Sequence, residues 1–460
     1  MSAQPSQFKI TKASFTADRI GGFEELFFDI KNQIVEINIF ESIYQMALTG
    51  NISVVDDKSL YDEINFQGNE KLRLEISGAT NDADVLMDKT FIMTGIQTES
   101  RAGDKQSVYT FSLLEEHAFI SSAEKLRNSY RGTISDIISN IALSQLNKSV
   151  DTSYTGEINS IQSAIRVIIP NLNPIKAIKW LMSRATTNTG SPFFLYASVH
   201  DDNLRFGNLD TMYTQDPWNE SLPYTYNPAN TNIAEGLTEL EQGFTIGNIY
   251  PGESSNLLRL VRNGNIGANQ ETTNLNTGQI ERRHFDILDT LTNLSNAEVI
   301  NMESQNVYDE EFELKGKSLA EYDAMNIHSV VSTGTYGDFK SYHDEFDKSL
   351  LTKKLESNVI KNLLLKNTMN VAVPGTAFFL GKATVGDTVN LKVVNSNIEV
   401  GNSANEDDLL DKKKSGKHLI LELRHTFIGE RHKVLMQVAK LETEKGRKNK
   451  KQFRQSKKIT

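Results

Sequence analysis

The chain of 460 residues contains no cysteine. This absence excludes disulfide bonds, thiolate zinc sites, cysteine-bound iron–sulfur clusters and cysteine nucleophiles. Long apolar runs are missing too: no 18 consecutive residues are apolar, and residues 1–15 contain no apolar core. The sequence therefore predicts neither a classical secretion signal nor a membrane-spanning segment, and we expect no stable membrane insertion.

Charge is distributed unevenly along the chain. In total, 49 basic and 59 acidic residues give a net charge of −10. Residues 445–460 hold eight basic residues and no acidic one, which leaves 41 basic and 59 acidic residues in 1–444, a net charge of −18. Phosphate contacts need a basic face, so broad nucleic-acid binding by this acidic body is disfavoured. The basic tail has three interpretations: a solvated end, a segment that docks on an acidic partner, or a nucleic-acid contact.

Two regions have the pattern of antiparallel β-structure, residues 23–115 and 369–442. Apolar and polar residues alternate in both, as they do in half-buried strands, and glycine-containing turns separate the runs. In each region a glycine–polar turn opens an alternating strand, at Gly68 and at Gly386, and a hairpin follows roughly 40 residues later. This similarity leaves two alternatives open, an internal duplication and a generic likeness between hairpins.

The residues between and after these regions predict a mixture of elements. Thr133 with Asp136 forms an approximate capping box at the start of one helix, and Asn173-Pro174 is typical of the start of another, with asparagine as the cap. We also predict helices over 119–129 and about 346–366, a hairpin that turns at 200–203, and strands around 237–262. Loops are predicted over 217–234 and, with charged and solvated residues, over 406–417, and residues 263–279 are predicted to form a surface loop or a hairpin tip.

Candidate chemical sites are few. The segment from Gly375 to Lys382 has one residue too many for a phosphate-binding loop, and two strands with glycine turns explain it better. The sequences His343-Asp344-Glu345 with Asp347 and His200-Asp201-Asp202 could supply metal ligands, but a helix start and a hairpin turn account for them. His418, His425 and His432 recur every seven residues; on strands an odd separation turns neighbours to opposite faces, so we do not expect all three to bind one metal.

No recognised enzyme motif is present, and we expect no catalytic residue, no cofactor-binding residue, no metal ligand and no enzymatic activity. A pair of carboxylates acting on cell-wall glycans is the remaining catalytic alternative, although no pair stands out.

The order of these segments resembles the baseplate hub protein of contractile-tailed phages of the T-even type, which is related to the N-terminal half of type VI secretion spike proteins. Four stretches carry the resemblance. They are NIFESIY at 38–44 with GNISVVDD at 50–57 and Gly68-Asn69-Glu70; SYRGTISDI at 129–137; IIP at 168–170 with NPIKAIKWL at 173–181, FLY at 194–196 and LRF at 204–206; and the final strand pair with His425 and the closing KLE at 440–442.

The resemblance implies an α+β, β-rich fold in which two similar small antiparallel β-barrels are joined by α/β domains and an insertion splits the second barrel. In this chain the implied divisions are a first barrel at 1–115, an α/β domain at 116–234, a second barrel at 235–262 plus 352–443, an insertion at 263–351 and the basic tail at 444–460.

The resemblance also implies a structural role. Three copies would form a ring of six barrels that joins a threefold spike to the sixfold tail tube, and DNA would pass through the lumen without specific binding. The expected partners are two further copies of the chain, the central spike protein, the tube or tube-initiator protein and other baseplate proteins, and the expected location is the virion tail. A hub or spike component of a non-viral contractile injection system is the alternative within the same class.

Overall fold

A computed structural model shows a β-rich fold dominated by antiparallel sheet. It describes residues 6–21, 25–57, 61, 64–78, 85–101, 106–153, 165–183, 185, 187, 190–226, 239–254, 257–274, 278–296, 308–309, 312–331, 348–375, 378, 382–395 and 410–440. Within these ranges, no helix is both long and apolar enough to cross a membrane.

The first β-region contains seven strands. They are β1 (Phe8–Asp18), β2 (Glu25–Asp29), β3 (Ile34–Ser42), β4 (Thr49–Asp56), β5 (Glu70–Gly78), β6 (Val85–Arg101) and β7 (Ser107–Glu115). The predicted strands at 33–40, 71–77, 90–96 and 107–113 are confirmed as β3, β5, β6 and β7. Inward side chains such as Ile37, Leu72 and Phe91 are fully buried, because alternate residues of each strand face the core.

A mixed α/β region follows. Its elements are α1 (Glu116–Ala123), β8 (Ser129–Gly132), α2 (Ile134–Leu146), β9 (Val150–Asp151), β10 (Ile165–Ile168), α3 (Pro174–Met182), β11 (Phe193–Tyr196), β12 (Leu204–Asn208), α4 (Leu209–Thr214) and β13 (Tyr224–Tyr226). β11 and β12 pair antiparallel, which confirms the hairpin predicted to turn at 200–203.

The remaining elements complete the second β-region and the segment inserted into it. They are α5 (Glu239–Gly243), β14 (Asn248–Ser254), α6 (Leu257–Arg262), β15 (Gly267–Asn274), β16 (Ile280–Asp286), α7 (Ile287–Asn296), β17 (Glu313–Leu314), β18 (Lys317–Ser318), a 3₁₀ turn (Leu319–Glu321), β19 (Asn326–Val331), α8 (Lys348–Leu364), β20 (Asn367–Pro374), β21 (Thr388–Val393), β22 (Gly416–Ile428) and β23 (Arg431–Ala439). α8 confirms the helix predicted at about 346–366.

Helix starts follow the local sequence in one case and depart from it in another. The side chain of Thr133 accepts the backbone N–H of Asp136 and the Asp136 carboxylate accepts that of Thr133, so the predicted capping box is present. At α3, Pro174 occupies the first turn as expected, but the Asn173 side chain does not cap the helix. It donates to Ser121 O (2.9 Å) instead, which ties α3 to α1.

Two predicted elements were wrong and two have other bounds than expected. The predicted loop at 217–234 contains β13. The stretch 263–279, predicted as a surface loop or hairpin tip, contains β15 and the connection to β16, and the Thr, Asn and Gln residues of β15 pair with β16 and β19. The region 237–262 holds one strand and two short helices in place of strands throughout. The helix expected at 119–129 is α1, which begins and ends several residues earlier because the chain turns into β8 at Ser129.

One large sheet contains strands from both β-regions. Its order is β14-β20-β23-β22-β3-β4-β7-β6-β5-β1-β2, and β21 pairs with β22 and with β13 at a branch. The two regions meet where β22 pairs antiparallel with β3, from Glu422 opposite Ser42 to Ile428 opposite Glu36. The expected β-rich class is confirmed, and the two regions share backbone hydrogen bonds as well as the connecting segments.

Two contacts outside the paired strands link distant parts of the sheet. A bridge between Gln7 and Arg431 brings the start of β1 to the β22–β23 hairpin. In the second region, Thr225 in β13 donates to Phe244 O (3.0 Å) and accepts from Ile246 N–H (2.9 Å), just before β14 begins. The first contact joins the two β-regions, and the second joins β13 to the residues that precede β14. The expected domain boundaries stay a prediction.

Candidate functional site: a buried cluster where the two β-regions meet

Glu41 of β3 and two histidines of the β22–β23 hairpin form a buried cluster at the junction of the two β-regions. His425 Nε2 lies 2.8 Å from Glu41 Oε1, and His425 Nδ1 lies 3.1 Å from His432 Nε2. All three side chains are at most 2% exposed. The line Glu41–His425–His432 therefore joins the β3 side of the junction to the tip of the hairpin.

Hairpin pairing explains why His425 and His432 meet despite their odd separation. His425 is opposite Val434 and His432 is opposite Phe427, so the two histidines are diagonal neighbours on one face of the hairpin. The rule that odd separations reverse the face applies along one strand and not across a turn. His418 follows the prediction: it lies further along β22, where its Nδ1 is 2.8 Å from Gly416 O.

Aromatic rings and a glycine enclose the two histidines. The His432 ring stacks on Phe427 with centroids 4.2 Å apart, and the edge of Phe378 meets His425 at 5.5 Å. Gly375 donates its N–H to His432 O (2.9 Å), and a Cβ on Gly375 would lie 1.8 Å from His432 Nδ1. The close approach of this backbone is therefore possible only with glycine.

A second set of contacts extends from Glu41 to the α/β region. Thr384 donates its hydroxyl to Glu41 Oε2 (2.5 Å) and its backbone N–H to Asp387 Oδ2 (2.9 Å). Arg205 of β12 lies 3.8 Å from Asp387 and makes a closer ion pair with Asp201 (2.5 Å). The hairpin of β11 and β12 thereby reaches the same junction.

The turn at 200–202 contacts both β-regions. His200 Nε2 lies 3.1 Å from Ala383 O in the second region. Lys89 of β6 is buried, donates to Asp201 O and pairs with Asp202 (3.0 Å). A hairpin turn alone therefore does not account for His200-Asp201-Asp202, because these residues hold the α/β region against both β-regions.

Burial and local charge set the protonation of the cluster. Burial raises the pKa of Glu41, but the hydrogen bond and charge of His425, with the Thr384 hydroxyl, outweigh it and lower the pKa below its ordinary value. Burial lowers the pKa of His432 well below its ordinary value, as do the nearby His425 and His200 rings. Glu41 is therefore a carboxylate and His432 a neutral imidazole near neutral pH.

Asp387 has the opposite tendency. Burial raises its pKa to about 6, against the Thr384 N–H and Arg205, while Glu41 adds repulsion. Burial also lowers the pKa of His200, although the Glu41 charge opposes this effect. The junction thus contains one ionised and one easily protonated carboxyl group.

The arrangement is suited to joining strands. In the part of the chain with described coordinates, no three His, Asp or Glu side chains are placed to hold a metal ion.

Sequence patterns did not indicate the carboxylate partner of His425, because Glu41 is 384 positions away along the chain. Between β20 and β21, Phe378 donates its N–H to Gly375 O and Lys382 donates its N–H to Phe378 O. The other residues between Gly375 and Lys382 lie outside the described residues. His343, Asp344, Glu345 and Asp347 lie outside the described residues.

Comparison with known proteins places the fold among phage tail proteins. A tail protein from Neisseria meningitidis MC58 superposes with a TM-score of 0.51 at 11% identity, over 94% of this chain and 97% of that one. A 43 kDa tail protein of prophage MuSo2 from Shewanella oneidensis gives 0.48 at 9% identity, over 93% and 98%. An E. coli type VI secretion component, described as similar to T4 bacteriophage tail proteins gp27 and gp5, gives 0.40 at 9% identity, over 88% and 73%. No protein-family model and no curated protein matches the sequence. The expected resemblance is confirmed at the level of the fold.

Proposed function

We propose that the chain is a structural hub component of a contractile phage tail, in which three copies form a ring that joins a threefold spike to the sixfold tail tube. The fold is that of a phage tail protein over nearly the full length of both chains. A fold does not by itself establish a role, so the proposed role rests on the repeated order of strands in the sheet.

The observation that supports a sixfold ring is a repeated strand order. The first region contains the run of strands β3-β4-β7-β6-β5, and the second contains the run β14-β20-β23-β22-β21. Neighbouring strands pair antiparallel in both runs, and the chain passes through the five places of each run in the same order. Each run would form one small barrel, and three chains would supply six similar barrels. Unlike barrels in alternation are the means by which a threefold ring presents nearly sixfold symmetry.

The remaining parts of the proposal concern partners. The ring would seat the central spike protein on one face and the tube or tube-initiator protein on the other, with other baseplate proteins around it, in the virion tail. The net charge of −18 over residues 1–444 favours a lumen that repels passing DNA. The buried cluster would serve stability, and the proposal includes no enzymatic activity.

Native mass spectrometry of the purified full chain, combined with electron microscopy, tests the ring. We expect trimers that form rings with six similar lobes and an acidic lumen. A chain that stays monomeric at micromolar concentration contradicts the proposed ring, and a basic lumen contradicts the proposed passage for DNA. A peptidoglycan zymogram should show no activity.

The basic tail has its own test. Deletion of residues 445–460 should impair assembly of the baseplate and leave the trimer intact, because we propose that these eight basic residues reach a neighbouring baseplate or tube protein. Normal assembly of the deletion variant contradicts this assignment.

A further inference from the structure

The two runs of strands can be aligned residue by residue, because they share an irregularity. The register of β6 against β7 shifts between Met93 and Gly95, and that of β22 against β23 shifts between Ile420 and Glu422. Superposing these bulges makes Gly95 equivalent to Glu422. The alignment then places Glu70 on Asp387. Glu70 accepts the N–H of Gln67 and Asp387 accepts that of Thr384, each three residues earlier.

The same alignment carries across the next two strands of each run. Ile52 pairs with Ile37 in the first run, and the equivalent Val371 pairs with Ile249 in the second. β14 is therefore the equivalent of β3, displaced by 212 positions. The sequence repeats at this displacement, since Glu41-Ser42 recurs as Glu253-Ser254.

One pairing breaks the equivalence within the chain. The second half of β22, from Glu422 to Ile428, pairs with β3 of the other run. The equivalent second half of β6, from Gly95 to Arg101, has β7 on one side, whereas β5 pairs only with β6 residues up to Met93. β14 likewise has β20 on one side and, within the described residues, no strand on the other. Among the described residues, the second half of β6 in the first run and β14 in the second run therefore each have one edge without a partner strand.

We infer that β14 of one protomer pairs antiparallel with the second half of β6 of the next protomer, in the register of the β3–β22 junction. This inference rests on the proposed ring and names the strands that close it. Within the chain, β3 of the first run pairs with β22 of the second run. The equivalent pairing therefore joins β14 of the second run to β6 of the first run in another copy. Such a contact is heterologous and closes after three protomers.

The register follows from the alignment. The register of β6 against β7 shifts a second time, between Ile96 and Thr98, so that from Thr98 onward β6 lies 326 positions before its equivalents in β22. Asn38 is opposite Thr426 within the chain, and their equivalents are Tyr250 and Ser100. Tyr250 of one protomer should therefore be opposite Ser100 of the next. Tyr250 is 49% exposed and residues 97–101 are all exposed, although their counterparts His425 and Phe427 are buried at the intrachain junction.

Pro251 gives the new junction one hydrogen bond fewer than the intrachain one. Ile43 donates its N–H to Leu421 O (3.0 Å), so Ile39, four residues earlier in β3, points its N–H to the same side. Pro251 is the equivalent of Ile39 and has no N–H. A proline on an open strand edge also limits unspecific pairing in the free monomer.

Cysteine cross-linking tests the register directly, because the native chain has no cysteine. Directly opposed residues of an antiparallel pair have Cα atoms about 4.5–5.5 Å apart, within the range a disulfide spans. The double variant Ser100→Cys/Tyr250→Cys of the full chain should form covalent dimers and trimers after oxidation, read on non-reducing gels beside native mass spectra. A mixture of the two single variants should form dimers, and each single variant alone should form none.

Two controls fix the interpretation. Asn38→Cys/Thr426→Cys should form an intrachain disulfide in the equivalent register, and Thr98→Cys/Tyr250→Cys, displaced by two residues, should not cross-link. Native trimers without the Ser100–Tyr250 cross-link overturn this inference and leave the proposed function standing. Absence of trimers overturns both, and cross-links from a single variant alone would show a self-complementary contact and overturn the inferred one.

Discussion

His425 Nε2 lies 2.8 Å from Glu41 Oε1, and this contact joins strands from the two β-regions at positions 384 residues apart. It lies within the ladder of β3 and β22, where His425 is opposite Ile39. The backbone bonds of the ladder are available to any sequence, so the buried apolar side chains and this buried polar contact together favour this pair of strands and this register.

Replacement of Glu41 should therefore weaken the junction. Glu41→Gln keeps the shape of the side chain but removes the charge that His425 and Thr384 both contact. Hydrogen bonds to a charged group contribute about 1.5–3 kcal/mol each, so we expect a loss of about 2–4 kcal/mol in the free energy of unfolding by urea. Glu36→Gln on the same strand, where the partner Arg424 is 3.9 Å away and partly exposed, should cost less than about 1 kcal/mol. Equal losses in the two variants would contradict a special role for Glu41.

A methyl group at Gly375 should clash with His432. The Cβ of Gly375→Ala would lie 1.8 Å from His432 Nδ1, and the ring is held between Phe427 and His425. Forcing an extra group into such a packed site costs about 1–3 kcal/mol. The double variant Gly375→Ala/His432→Ala removes the clash, so its loss of unfolding free energy should be smaller than the sum of the two single losses. Additive losses would show that the clash is not the cause.

Acid should destabilise the protein partly through His418. Burial lowers the pKa of His418 to about 3, from about 6.5 in the unfolded chain. The unfolded state therefore binds more protons between pH 6.5 and 3, so that stability is fully present above pH 6.5 and falls as the pH is lowered. His418→Asn, which keeps a donor near Gly416 O, should reduce the loss of stability between pH 7 and pH 5 by about 2 kcal/mol. A variant with an unchanged pH dependence would contradict this assignment.

The sequence was informative where neighbouring residues determine the outcome. The capping box at Thr133, Pro174 in the first turn of α3 and the alternation in β5 all predicted the observed elements. Strand β15 was missed because its polar residues pair on both edges within a small sheet, which gives no apolar alternation. The buried cluster was missed for a different reason: it depends on the pairing of β3 with β22, and no local pattern specifies a partner so far along the chain.

Asp387 should contribute a pH dependence of the opposite sign to that of His418. Burial raises its pKa to about 6 from the ordinary 3.8, so the folded state holds a proton that the unfolded state has already released between these values. Stability from this group is greatest below about pH 4, falls as the pH rises to about 6, and is constant above that. Asp387→Asn keeps an oxygen that can accept the Thr384 N–H and has no proton to release. The variant should therefore gain about 1–3 kcal/mol over the native chain at pH 8 and little at pH 4, measured by urea unfolding at each pH. Arg205 lies 3.8 Å from Asp387 and loses this ion pair in the variant, which offsets part of the gain in unfolding free energy at pH 8. A difference between the two proteins that is the same at pH 4 and pH 8 would show that the fold does not raise the pKa of Asp387.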